Sequence, residues 1–110
     1  MRTYYDVVII GAGPAGFFTA LELVRNSSDL SILLVDKGRS LAQRFCVARK
    51  TGVCASCDPC AITSGFAGAG AFSDGKLSLA PSVGGRLTDY LSAKTVQNLI
   101  DYVDGIYREF

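Results

Sequence analysis

The sequence predicts an α/β fold that opens on a βαβ unit with parallel strands, and three observations predict it. Tyr5 to Ile10 (YDVVII) is a β-branched run closed by Gly11, as expected of a strand buried on both faces. Phe17, Phe18, Ala20, Leu21 and Val24 then recur at helical spacing, with Glu22 and Arg25 on the opposite face. Ser31 to Val35 (SILLV) is a second apolar run that stops at Asp36. Strand, helix and strand within about thirty residues make one βαβ unit.

Each element has its boundary signals. Pro14 suits a first helical turn, where its missing N–H has no partner to lose. Asn26-Ser27-Ser28-Asp29 is a turn cluster that ends the helix. Ser40 to Arg44 adds a helical turn. Residues 46–85 are cysteine-rich and then glycine-rich, with little periodicity, and a stretch of that kind is expected to be functional or held by a ligand. In the last segment, 86–110, Val96, Leu99, Ile100, Val103, Ile106, Tyr107 and Phe110 share one face of an amphipathic helix. Two strands fall short of the five or six of a doubly wound sheet. The expectation is therefore a truncated Rossmann-like domain, or a chain that buries its helix face against another copy. The uncovered stripe makes self-association of the chain expected.

Composition narrows the function classes. Apolar residues make up 49% of the 110, enough to fill a core, and the net charge is +1 from 11 basic and 10 acidic residues. That balance offers no electrostatic footprint for nucleic acid or an anionic membrane. Asp6 precedes the run Val7–Ile10, and Gly11, Gly13 and Pro14 interrupt it. Glu22 and Arg25 fall inside the next apolar segment, so no secretory leader or transmembrane span is expected. A cytoplasmic location follows as the default, where thiols stay reduced. The chain has no histidine, which removes the commonest general base and zinc ligand.

Gly11-Ala12-Gly13-Pro14-Ala15-Gly16 fits G-x-G-x-x-G in the setting that gives the pattern meaning: after a strand and at the start of a helix. Gly11 permits the tight turn, Gly13 lets backbone approach a pyrophosphate, and Gly16 lets helix and strand pack closely. Pro14 and Ala15 open the helix, whose free N–H groups and positive dipole end favour phosphate. Asp36, about twenty residues beyond Gly16, stands where an acid accepts from a ribose 2′-OH and repels a 2′-phosphate. FAD or NAD is thus expected over NADP. The plainer alternative is an ordinary turn with Asp36 capping a strand.

The fingerprint alone does not separate FAD from NAD. YDVVIIGAGPAGFFTALEL, LLVDKG and GAGAFSDGKL together resemble the FAD-dependent dehydrogenases of the two-dinucleotide-binding-domain flavoproteins, which are distantly similar to the geranylgeranyl-reductase type. The likeness covers nearly the whole chain, and members of that family are several times longer. It implies a flavoprotein oxidoreductase in which Gly11, Gly13, Pro14, Ala15 and Gly16 cradle the FAD pyrophosphate. Asp36, with Lys37 beside it, would take the adenosine ribose. Arg44 would lie near the pyrophosphate, where an arginine can bind bidentately; otherwise it is a solvated surface charge. In the second glycine block, Gly70, Ser73, Asp74, Gly75 and Lys76 would stand at the flavin ring, with Lys76 stabilising a reduced flavin. Asp74-Gly75 can instead be a hairpin turn. No catalytic residue is assigned, and the partner is an unidentified small-molecule substrate or electron donor.

Cys46, Cys54, Cys57 and Cys60 stand apart from this scheme. C-x2-C-x2-C lacks the Cys-Pro of a bacterial ferredoxin run and the paired knuckles of most structural zinc sites. Zinc or an iron–sulfur cluster held by all four thiolates, a redox-active dithiol, and unliganded thiols all remain open. Two rivals to the flavoprotein reading also stand. An NAD-linked dehydrogenase predicts a catalytic Tyr/Lys or His constellation that is not recognisable here. A regulatory module that binds nucleotide or metal without catalysis is the other.

Overall fold

The structure is a computed structural model that describes residues 4–27 and 29–109. The chain divides into two compact units, Met1–Asp74 and Gly75–Phe110.

In the first unit, strand β1 (Val7–Ile10), helix α1 (Pro14–Asn26) and strand β2 (Ile32–Val35) form the expected βαβ unit. The strands are parallel, pairing Val7 with Ile32, Val8 with Leu33, Ile9 with Leu34 and Ile10 with Val35. Asp6 and Ser31 fix the register at one end: the Asp6 carboxylate accepts from the Ser31 hydroxyl at 2.6 Å and the Ser31 N–H at 2.8 Å. At the other end Gly11 N–H donates to Val35 O at 2.7 Å. Helix α1 stops as the turn cluster predicts, with Ser27 N–H on Leu23 O; Ser28 lies outside the described residues.

One expectation is corrected. β1 alternates between half-buried and exposed positions, so the strand is not covered on both faces. Val7 and Ile9 lie on the half-buried side, and Ile9 comes close to Gly16 of α1. Val8 and Ile10 lie on the other side, with Ile10 88% exposed and Val35 at the end of β2 also open. An apolar run signals a strand that can be buried on both faces, and here α1 packs on the sheet.

The remainder of the unit is irregular but tied down. The turn expected near Ser40 is a 3₁₀ turn, Leu41–Gln43. A short helix α2 (Ala48–Thr51) ends on left-handed Gly52, and a 3₁₀ segment spans Gly68–Phe72. Phe17 of α1 meets Phe66 edge to face, ring centres 4.4 Å apart, which anchors the glycine-rich stretch to the helix.

In the second unit a 3₁₀ turn (Leu87–Asp89) precedes helix α3 (Ala93–Tyr107). The amphipathic helix thus starts at Ala93 and not at residue 86. Ser92 sets that boundary: its hydroxyl accepts from Thr95 N–H at 3.1 Å, an N-cap that satisfies one first-turn donor. Gln97 reaches Leu79 O at 3.3 Å and Asp101 at 2.8 Å. Along the apolar stripe Val96 and Ile106 are buried, Ile100 and Val103 half-buried, and Leu99 and Tyr107 exposed. Phe110 lies outside the described residues. Among the described residues no helix is long and apolar enough to cross a membrane.

Candidate dinucleotide site

Gly11 takes φ +102°, a left-handed conformation that turns the chain from β1 into α1. Pro14 occupies the first helical turn, and Gly13 stands at the N-cap with no side chain capping the helix. A Cβ on Gly13 would meet no atom within 4 Å. No side chain caps the first-turn N–H groups or the positive dipole end of α1. A Cβ on Gly16, in contrast, would collide with Gly11 O. Gly13 leaves room for something outside the chain, whereas Gly16 makes room for the chain itself.

Asp36 sits at the carboxyl end of β2 and binds this turn directly. Its Oδ2 accepts from Ala12 N–H at 2.8 Å and its Oδ1 from Gly38 N–H at 2.8 Å. The carboxylate is held below its ordinary pKa, first by the Ala12 N–H and then by the Gly38 N–H. Partial burial opposes this, while the Gly65 N–H and the Arg44 charge add to it. A lowered native pKa means that the stabilisation is present above about pH 4 and is lost as the pH falls through the native value. Asp36→Asn is accordingly expected to unfold at lower urea than the parent at pH 7, with the gap closing toward pH 3. A gap that is equal at both pH values would contradict the assignment.

Two open grooves flank Asp36. One, about 390 Å³, is lined by Ala12, Leu34, Asp36, Gly38, Arg39, Ser40, Leu41 and Phe66. The other, about 510 Å³, includes Gly11, Val35, Asp36 and Lys37. Both volumes fall in the range of small-molecule sites.

Arg44 departs from both expectations held for it. It is buried, 7% exposed, so it is not a solvated surface charge. Its guanidinium is also not free to serve a pyrophosphate bidentately, because it donates four times to main-chain carbonyls. Nε reaches Ala61 O at 2.8 Å, and Nη1 reaches Phe66 O at 2.6 Å. Nη2 reaches Ile62 O at 2.5 Å and Gly68 O at 2.9 Å. The Phe72 ring lies 4.7 Å from the guanidinium carbon. Arg44 thereby folds residues 61–68 around one cation. That segment rests on the glycine turn: Ala67 N–H donates to Ala12 O at 2.8 Å, and a Cβ on Gly68 would approach Gly13 Cα at 3.2 Å.

Two further glycines make this join possible. A Cβ on Gly38 would strike the backbone of Ser64 and Gly65, and Gly65 itself takes φ +113°. The G-x-G-x-x-G pattern points to neither, since the approach they permit is between distant irregular segments.

The remaining candidates are distributed more widely. Gly70 lies in the Gly68–Phe72 turn, and Ser73 and Asp74 close the first unit. Gly75 and Lys76 open the second unit and are exposed. No strand flanks Asp74-Gly75 among the described residues, so the hairpin alternative is not realised. The four cysteines are free thiols, and among the described residues no three Cys, His, Asp or Glu side chains gather as a metal ion requires. The zinc or iron–sulfur alternative has no such cluster behind it among the described residues. Cys54 accepts from Ser56 N–H at 3.4 Å.

A parallel βαβ unit, an uncapped helix N-terminus beside a Cβ-free cradle, and an acid at the end of β2 define a Rossmann-like nucleotide-binding unit. The comparison with known families makes this more particular: a family model matches residues 5–106, and the chain belongs to the pyridine nucleotide-disulphide oxidoreductase family, whose members bind FAD or NAD(P). No curated protein and no solved structure matches it.

Proposed function

We propose that the chain supplies the pyrophosphate- and adenosine-binding part of an FAD site in a flavoprotein oxidoreductase. The observation that carries this is the cradle at Gly13, open at the uncapped N-terminus of α1 and built to take an anion against backbone. FAD over NAD, and the FAD-dependent dehydrogenase group distantly similar to the geranylgeranyl-reductase type, rest on the likeness of the segments around Gly11–Gly16, Asp36 and Gly68–Lys76. Residues 1–45 are then the dinucleotide-binding unit, 46–85 a cysteine- and glycine-rich insertion, and 86–110 the segment that carries the amphipathic helix α3. A cytoplasmic location accords with the free thiols.

Bound FAD supplies hydride transfer through its flavin ring, and the protein supplies binding, orientation and tuning. Gly11 and Gly13 bring main-chain N–H groups to the pyrophosphate, and Gly16 keeps α1 seated so that its dipole points there. Asp36 spends one side of each carboxylate oxygen on Ala12 and Gly38, so its remaining lone pairs can accept from a ribose hydroxyl. The same carboxylate repels a 2′-phosphate. Arg44 acts at one remove, holding residues 61–68 against the turn.

The test is whether the full-length protein carrying this segment, isolated without added cofactor, carries FAD that is released on denaturation. A protein that is colourless and cannot be reconstituted with FAD would remove this reading.

A further inference from the structure

The near-balanced charge of the whole chain conceals a local asymmetry. From Lys37 to Ser73 stand five of the eleven basic residues and a single acid, Asp58. Arg44 is buried, but Lys37, Arg39, Arg49 and Lys50 are all exposed. None of these four takes part in an ion pair among the described residues. Apolar side chains are exposed in the same stretch: Phe45 at 56%, Val47 at 41% and Val53 at 69%. Helix α2 gathers the two kinds. Arg49 and Lys50 lie in its four residues, and Val47 is its N-cap. The Thr51 hydroxyl lies 3.2 Å from the carbonyls of both Val47 and Val53, which folds the chain after α2 back against its start. Lys50 Nζ stands 5.3 Å from the centre of the Phe45 ring, and the Arg49 guanidinium 4.9 Å from that of Phe72. Every residue from Arg49 to Pro59 is exposed, so this segment projects from its unit.

We propose that α2 and its flanks, residues 45–53, dock the protein on the surface of an anionic lipid bilayer. Phe45, Val47 and Val53 enter the boundary between headgroups and acyl chains, while Arg49 and Lys50, with Arg39 nearby, meet the lipid phosphates. The stem of Lys50 lies along the Phe45 ring, so the ring can go deeper while the ammonium stays among the headgroups. Cations alone would suit an acidic protein equally well. The three apolar tips favour a bilayer, because acyl chains accept them without a groove shaped to fit. Asp58, the one acid of the stretch, offsets a single charge. The contact lies on the surface and needs no membrane-crossing helix. Nothing in it depends on the FAD reading.

The test is co-sedimentation of the full-length protein carrying this segment with vesicles of an equal mixture of phosphatidylglycerol and phosphatidylcholine, against phosphatidylcholine alone. The parent is expected to pellet with the anionic vesicles at low salt, to be released as salt rises, and to stay in solution with phosphatidylcholine. Arg49→Gln with Lys50→Gln is expected to weaken binding about thirtyfold and to flatten its salt dependence. Phe45→Ser with Val53→Ser is expected to weaken binding about tenfold with the salt dependence kept. These four side chains are exposed, so both variants are expected to unfold at the parent's urea concentration. A parent that ignores anionic vesicles, or that pellets equally with phosphatidylcholine, would overturn the proposal. So would parental binding by either folded variant. Retention on immobilised polyglutamate without vesicle binding would assign the patch to an acidic protein instead and overturn the bilayer.

Discussion

Arg44→Met is expected to destabilise the protein by about 3–5 kcal/mol and to release residues 61–68 from the glycine turn. Methionine keeps most of the length and apolar volume of arginine but brings no donor. Four carbonyls, those of Ala61, Ile62, Phe66 and Gly68, then lose the cation on which they converge. A hydrogen bond to a charged group contributes about 1.5–3 kcal/mol, and a buried acceptor left without a donor costs about as much. The four do not sum, because the segment can open and let water reach some of the carbonyls. Arg44→Lys keeps the charge with a single nitrogen that cannot serve carbonyls on two sides, and recovers only part of the loss. Urea unfolding measures the effect, and limited proteolysis within 61–68 locates it. A loss below about 1 kcal/mol would mean that Arg44 is incidental to the fold.

Gly16→Ala is also expected to be damaging, though less so, because it sets two opposed effects against each other. In a helix interior the change should stabilise by about 0.8–1 kcal/mol through propensity alone. Here the new methyl group collides with Gly11 O and lies 3.1 Å from Gly11 C and 3.4 Å from Ile9 Cγ2. The first two are backbone atoms of the turn, so no side-chain rotation relieves them. Helix α1 must move off β1, and the cradle at its N-terminus moves with it. Overpacking of this kind costs about 1–3 kcal/mol, and the net change is expected to be a loss with dinucleotide binding impaired together with stability. A stabilised variant would show that α1 is seated less closely on β1 than the structure has it.

How far the sequence carries differs between the two halves of this site. β1, α1 and β2 were legible because their signals are local: a β-branched run, Pro14 at a helix start, apolar residues at helical spacing, and Asp36 at a strand end. The glycine turn was legible because its neighbours gave the pattern its context. The clamp around Arg44 was not. It joins residues separated by about twenty positions of irregular backbone, and an arginine donating to carbonyls leaves no periodicity to read. Asp36 was found for a ribose, and its bonds to Ala12 and Gly38 show that it also builds the turn it was expected to serve. The exposed Val8 and Ile10 failed the expectation of a strand covered on both faces because β-branched composition reports what a surface could bury, not what covers it. The cysteines misled in a similar way, since a tight spacing does not make their sulfurs converge.

The most direct test of the dinucleotide assignment exploits the difference between Gly13 and Gly16. A Cβ at Gly13 meets no atom within 4 Å, and Gly13→Glu is expected to leave stability within about 1 kcal/mol of the parent. The same carboxylate would occupy the cradle and repel a pyrophosphate from the helix N-terminus. The visible absorption spectra of the full-length protein carrying this segment, parent and variant, each isolated without added cofactor and then titrated with FAD, decide the matter. The account predicts a two-banded flavin spectrum in the parent and at least about a hundredfold weaker FAD binding in a normally folded Gly13→Glu protein, some 2.7 kcal/mol of lost binding. Equal FAD binding by the two proteins would contradict it.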